Sequence, residues 1–275
     1  MVSLECNLVG DLMTDLYKKT LDTRGVATIT LNRPEIHNAF NDELILGLIK
    51  EFKEMDADPS VKLVVLTGEG KSFCAGADLN WMKKMVSYTL EENIADSMNL
   101  ANLFEVTNFF SKPIIGKING AALGGGSGLV AVCDHVVAHE SALFGFTEAR
   151  LGLVPAVISP YVIAKIGHSN ARTLFLSGKR FDAVYAKSIG LVHDISLDRY
   201  FEKDIQTTIE EFLKSSPAAQ VESKKLIFGV ESRMHSLEDR KKFTCETIAK
   251  MRISEQGQEG MNALLEKRKP NWLES

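Results

Sequence analysis

Twice in the first half of the chain, a short apolar run breaks directly into small residues and then into a helical pattern. Val61 to Thr67 (VKLVVLT) leads into Lys71-Ser-Phe-Cys-Ala-Gly-Ala-Asp-Leu79, and Pro113 to Asn119 (PIIGKIN) leads into Asn119-Gly-Ala-Ala-Leu-Gly-Gly-Gly-Ser-Gly128. Runs this apolar and this short read as buried strands. A repeated strand, glycine-bearing turn and helix restricts the chain to an α/β arrangement. Small residues let a ligand approach the main chain, and a helix N-terminus offers unpaired N–H donors and a positive dipole end. Two such termini facing each other would hold an oxyanion between two backbone amides. The same glycines would serve close helix packing, which is the favoured reading of either segment taken alone.

Other elements extend the pattern. Gly25 to Asn32 reads as a strand closed by Arg33-Pro34, and Asn41 to Met55 as a helix capped by Asn41. Leu79 to Phe110 is largely helical with a break near Ser87-Tyr88, and Gly120 to Val132 opens with glycines into a buried helix. Cys133 to His139 and Ala142 to Phe146 read as short strands. After about Ser159 amphipathic helices follow one another: Ser159 to Ile166, Ala171 to Leu176, Ala183 to Ile189, Tyr200 to Lys214, Pro217 to Gly229, Leu237 to Met251 and Ser254 to Lys267. The expected organisation is an α/β core over residues 1–200 and a helical region over 201–275 that packs on the core and on a neighbouring subunit.

Charge and composition exclude several classes. Lysines and arginines number 32 against 36 acids, a net charge of −4, which argues against nucleic acid as a partner. The longest apolar candidate, Ala121 to Cys133, carries four glycines and falls short of a membrane span. Glu5 and Asp11 near the N-terminus, with no basic leader, argue against a secretory signal. Cys6, Cys74, Cys133 and Cys245 are scattered with no C-x-x-C pair, as expected in a reducing, cytoplasm-like compartment. His135 and His139 are four apart, but no third ligand accompanies them, so no metal site is expected.

Better-known glycine loops do not fit. Gly126-Ser-Gly-Leu-Val-Ala131 matches G-x-G-x-x-A in form, yet Asn119 to Gly125 separate it from its strand. No G-K-[ST] follows, and Leu129 stands where a nucleophile elbow needs glycine. Among the acids Glu148 stands out, set in the mostly apolar stretch Ala142 to Pro155. Apolar surroundings raise a carboxyl pKa and suit it to proton transfer near neutrality. The alternative is a structural carboxylate paired with Arg150.

Together these segments resemble the crotonase (enoyl-CoA hydratase/isomerase) superfamily. The resemblance covers Gly25 to Lys267 and rests on Asn32-Arg-Pro-Glu-Ile-His-Asn-Ala39, Phe73-Cys-Ala-Gly-Ala-Asp78, Lys112-Pro-Ile-Ile-Gly-Lys-Ile-Asn-Gly120, Ala122-Leu-Gly-Gly-Gly126 and Cys133-Asp134. It implies a spiral of ββα turns, a helical C-terminal trimerisation region, and trimers or hexamers. It also implies an acyl-CoA thioester substrate and no cofactor beyond the coenzyme A that the substrate carries. By the same resemblance the oxyanion amides belong to Ala77 and Gly125, and the catalytic acid is Glu148. His37, Ala39, Ala75, Asp78, Leu79 and Gly126 would line the coenzyme A and thioester groove.

One position departs from the pattern. Two-glutamate hydratases carry a first acid where this chain has Gly128 and keep the second at the position of Glu148. A single acid also matches enoyl-CoA isomerases. Yet Ala75-Gly-Ala-Asp-Leu-Asn-Trp-Met82, Leu153 to Tyr161 and the tail from Arg252 to Trp272 are similar to bacterial hydratases of branched, carboxylated enoyl thioesters. Those comprise methylglutaconyl-CoA hydratase of leucine breakdown and a relative acting on carboxygeranoyl-CoA. The expected activity is therefore hydration of 3-methylglutaconyl-CoA. Isomerisation, hydration of another acyl-CoA, and thioester binding without turnover stand as alternatives, and Arg150, Lys83 and Lys84 are candidates to receive a distal carboxylate.

Overall fold

A computed structural model describes Leu8–Met13 and Leu16–Leu273. The first seven residues, with Cys6 and the Glu5 of the leader argument, lie outside the described residues. In chain order the elements are β1 (Leu8–Met13), β2 (Tyr17–Asp22), β3 (Val26–Leu31), α1 (Asp42–Ala57), β4 (Leu63–Gly68), β5 (Ser72–Cys74), α2 (Leu79–Met85) and α3 (Leu90–Asn108). Then follow β6 (Ile114–Ile118), β7 (Ala121–Leu123), α4 (Gly125–Val132), β8 (His135–His139), β9 (Leu143–Gly145), α5 (Ser159–Ser177), β10 (Arg180–Asp182), α6 (Ala183–Ser188) and β11 (Asp194–Ser196). Four more helices close the chain: α7 (Phe201–Leu213), α8 (Pro217–Glu231), α9 (Leu237–Ile253) and α10 (Glu255–Leu265).

The strands form two sheets, a seven-stranded one ordered β1-β2-β3-β4-β6-β8-β11 and a four-stranded one ordered β10-β9-β7-β5. From β3 to β11 every pairing in the large sheet is parallel, and β5, β7 and β9 are parallel in the small one. Each of β4, β6 and β8 is thus followed by a three-residue strand in the second sheet and then by helix. This is a spiral of ββα turns, the arrangement that the family resemblance implies.

The chemistry of each segment explains its element. Every residue of β4 is buried, as expected of a central strand paired with β3 and β6 in a parallel sheet covered on both faces. In α1 the side chain of Asn41 accepts the Leu44 N–H at 2.9 Å, and Leu44, Ile45, Leu48, Phe52 and Met55 form its buried stripe. Thr89 and Glu92 make a reciprocal capping box at the start of α3, after the break at Ser87-Tyr88. Gly126–Val132 of α4 are all buried. The hydroxyl of Ser127 in that helix donates to Ala122 O at 2.6 Å and accepts the Gly145 N–H at 3.3 Å, tying α4 to β7 and β9. Helix α5 is interrupted at Gly167 (φ 74°, ψ 160°), which accounts for the two separate helical patterns on either side.

Several elements differ from the sequence reading. The β1–β2 hairpin, β5, β10 and β11 were not anticipated, β7 falls inside the glycine-led segment, and β8 begins at His135 rather than Cys133. His135 and His139 sit on β8; His135 stacks on His193, and His139 Nδ1 pairs with Ser141 Oγ at 2.7 Å. The chain divides into two compact units. One runs to Phe110 and resumes over Ile114–Gln206, and the other comprises Ser111–Pro113 and the helical stretch from Thr207. In the second unit α8 packs on α9, with the ring of Phe243 pressed against Gly229 and the Arg233 guanidinium 4.2 Å from that ring's centre. Among the described residues no helix is long and apolar enough to cross a membrane.

Candidate active site

The first unit contains a cavity of about 510 Å³ where the two glycine-bearing segments meet. Ala75, Gly76 and Ala77 approach from one side, Gly124 and Gly125 from the other, and Thr147 and Glu148 from the turn after β9. Strand pairing brings the segments together: β5 and β7 run parallel with Ser72 opposite Ala121 and Cys74 opposite Ala122. Beyond the strands their backbones remain in contact. A Cβ added at Gly76 would lie 3.2 Å from Leu123 O, and one added at Gly126 only 2.1 Å from Cys74 O. The glycines therefore serve both readings, close packing and access to the main chain.

The loop bearing Ala77 is clamped by hydrogen bonds that leave one amide unpaired. Phe40 and Ala77 form an isolated parallel bridge. Phe40 N–H donates to Gly76 O at 2.7 Å and Phe40 O accepts Asp78 N–H at 2.8 Å. In such a bridge the middle residue's own N–H and C=O point the other way, so those of Ala77 turn from Phe40. Gly125 opens α4 ahead of its first intrahelical bond, Gly128 N–H to Gly124 O. Among the described residues neither the Ala77 nor the Gly125 N–H has a hydrogen-bond partner, and both residues line the cavity.

Around them a layer of polar side chains fixes the loop. Asn38, fully buried with φ 57°, accepts Arg33 N–H at 2.8 Å and donates to Glu69 O and Ser72 O. Arg33 pairs with Asp78 at 2.7 Å and donates to Ala39 O. Asp78 caps α2 through the Asn80 N–H at 2.7 Å. Burial alone would push the Asp78 carboxyl up, but the Asn80 amide and Arg33 outweigh it and hold it below the usual carboxylate range. His37 takes a left-handed conformation, its ring pairs with Ser72 Oγ at 3.0 Å and its carbonyl accepts Ala75 N–H.

Glu148 begins a short 3₁₀ turn, Glu148–Leu151. A Cβ built on Gly124 would lie 3.2 Å from its Oε1, so a side chain there would crowd the carboxyl. Gly124 itself has φ 52° and ψ −123°, a conformation that a side chain would strain. The other oxygen, Oε2, is buried without a hydrogen-bond partner among the described residues. Burial raises the Glu148 pKa, as its apolar sequence context implies. No ion pair joins Glu148 to Arg150 among the described residues; Arg150 lies against Gly178 instead.

Of the residues expected at the site, Ala75, Ala77, Leu79, Gly125 and Glu148 line the cavity. His37, Ala39 and Asp78 stand behind that wall and hold it. Gly126 does not reach it, being wedged beneath the Cys74 carbonyl. Arg150, Lys83 and Lys84 are absent from the lining, and Lys84 faces Asp42 at 3.8 Å. The rest of the wall went unrecognised in the sequence: Phe40, whose ring underlies Gly125, Trp81, Met82 and Met85 of α2, Asn93, Ser97 and Leu100 of α3, and Leu151 and Leu153–Ile158. The i, i+4 and i, i+7 spacing of Asn93, Ser97 and Leu100 is the signal that marks one helix face.

At Gly128 the structure shows why no second acid accompanies Glu148. A Cβ there would lie 2.4 Å from Ile158 Cγ2 and 2.9 Å from Phe104 Cε1, so hydrocarbon fills that space.

Comparison with known proteins agrees with this geometry. Residues 22–275 match the family model described as Enoyl-CoA hydratase/isomerase. The chain is 34% identical over 253 residues to 2,3-dehydroadipyl-CoA hydratase of Escherichia coli, covering 90% of this chain and 94% of that one. Its fold is similar to that of an enoyl-CoA hydratase from Shewanella pealeana, with a TM-score of 0.88 and 39% identity over 94% of this chain and 96% of the other. It is also similar to Pseudomonas aeruginosa AtuE, with a TM-score of 0.87 and 32% identity over 96% and 98% of the two chains.

Proposed function

The chain belongs to the enoyl-CoA hydratase/isomerase family, and from that premise we propose that it adds water across the double bond of a branched enoyl-CoA, with 3-methylglutaconyl-CoA as the acyl group. The observation that carries the reading is the partnerless, buried Oε2 of Glu148 in a cavity shared with two unpaired amides. The thioester carbonyl would accept both N–H groups, so that negative charge arising on its oxygen is met by fixed dipoles. Glu148, ionised, takes a proton from water as the water oxygen bonds to C3 and the C2–C3 π pair moves into the enolate. The same carboxyl then returns that proton to C2 as the enolate collapses. Water is added whole and no electrons enter or leave. One carboxyl suffices if both transfers occur on one face of the planar enoyl group.

The acyl assignment draws on the sequence resemblance and on the likeness to a hydratase named for a dehydroadipyl thioester. Asn93 and Ser97 supply polar groups on the α3 wall for a chain ending in oxygen. A second reading, isomerisation by Glu148 alone, is favoured by the hydrocarbon filling at Gly128. Turnover of crotonyl-, methylglutaconyl- and carboxygeranoyl-CoA tests the proposal. Fastest hydration of the methylglutaconyl thioester is expected; conversion of none of the three to a hydroxyacyl product would refute it.

A further inference from the structure

Helix α2 supplies Leu79, Trp81, Met82 and Met85 to the cavity wall, yet it buries only one of its seven residues, Trp81. A short helix with so little buried surface is held by whatever grips its anchor. Trp81 is 4% exposed, and its indole N–H donates to Asp96 Oδ1 on α3 at 3.0 Å. Asp96 is not part of the cavity lining. Asp42, at the start of α1, is a neighbouring acid that acts on Asp96 electrostatically, and it lies 3.8 Å from Lys84, back on α2. One side chain of this short helix is thus held directly by Asp96, and a second, Lys84, faces the neighbouring Asp42.

Asp96 accepts the indole N–H through Oδ1 alone, and a carboxyl has a second oxygen to spare for other donors. Partial burial and the nearby Asp42 raise the Asp96 pKa, against the lowering effect of the Trp81 bond. We infer that Asp96 is a positioning residue for acyl recognition: by gripping Trp81 it seats α2 against α3 and so fixes the wall against which the distal part of a long acyl chain packs. The inference rests on the reading of this cavity as an acyl-CoA site. It concerns the far end of the chain, not the reacting carbons.

Binding of saturated thioesters tests it without depending on turnover. Dissociation constants of butanoyl-CoA and decanoyl-CoA would be measured by calorimetry for the wild type, Asp96→Ala and Asp96→Asn. Losing the grip should weaken decanoyl-CoA by roughly tenfold, the order of one hydrogen bond to an acidic group, and butanoyl-CoA by no more than about twofold. Asn keeps an acceptor oxygen for the indole, so Asp96→Asn should restore the wild-type ratio. Should Asp96→Ala prove too unstable, Asp96→Ser, too short to reach the indole, carries the same comparison. Equal weakening of both ligands, no weakening of either, or an Asn variant as impaired as Ala would overturn the inference. Failure of the wild type to bind either thioester would instead strike at the acyl-CoA reading itself.

Discussion

Glu148 joins an oxygen without a hydrogen-bond partner among the described residues to a carboxyl whose pKa burial has raised. A buried acceptor left without a partner costs about 1–3 kcal/mol, which fits a group kept for a ligand rather than for the fold. Because the folded pKa lies above the unfolded one, the folded state holds its proton over a pH range where the unfolded state has lost it. Stability contributed by this group is therefore present below the unfolded pKa and is lost as pH rises through the folded value. Glu148→Gln should accordingly raise Tm at neutral pH while lowering kcat by about 10²–10⁴, the usual worth of a positioned acid–base. A lower Tm with unchanged kcat would reverse both assignments. In the wild type, kcat should decline as pH falls through the raised Glu148 value, and a pH–rate profile flat on its acid limb would contradict this. Gly124→Ala should lose activity comparably, since its Cβ strains the backbone and crowds Oε1; wild-type turnover by that variant would show that the carboxyl tolerates displacement. In the sequence Glu148 was visible as one acid in an apolar run. Gly124 was not separable from its neighbours, because a row of identical glycines does not reveal which carries the positive φ.

Among the elements, length alone did not decide legibility: the three-residue β9 was readable within Ala142 to Phe146, whereas the six-residue β1 and β2 were not. The strands at 63–68 and 114–118 and helix α1 were readable because a buried face imposes its period over many residues. The three-residue strands β5, β7, β10 and β11 exist because partners elsewhere in the chain pair with them, a tertiary fact that such short runs carry weakly. The same limit hid the cavity wall. Trp81, Met82 and Met85 read as part of one long helix, and only the packing turns them towards a site. Between α4 and α5 the fit is tight enough to predict a failed repair. Gly128→Glu alone should destabilise the protein by on the order of 3 kcal/mol, since the new side chain collides with Ile158 and buries a charge. Combining it with Ile158→Ala should recover part of that loss in denaturant titrations, and no recovery would mean that Ile158 is not the obstacle.

For the molecule as a whole, the helical unit leaves Leu237, Ile253, Leu264 and Leu265 more than 70% exposed, apolar surface of a kind that association covers. We propose that the chain forms trimers or hexamers, and sedimentation showing a monomer at micromolar concentration would contradict this. Hydration itself is most directly tested by following an enoyl-CoA in ¹⁸O-water by mass spectrometry, with the wild type and Glu148→Gln side by side. The wild type should place one ¹⁸O in the product and the variant should form that product at least a hundredfold more slowly. A shifted double bond without label, or equal labelling by the two enzymes, would contradict the assignment of water addition to Glu148 and its two amide partners.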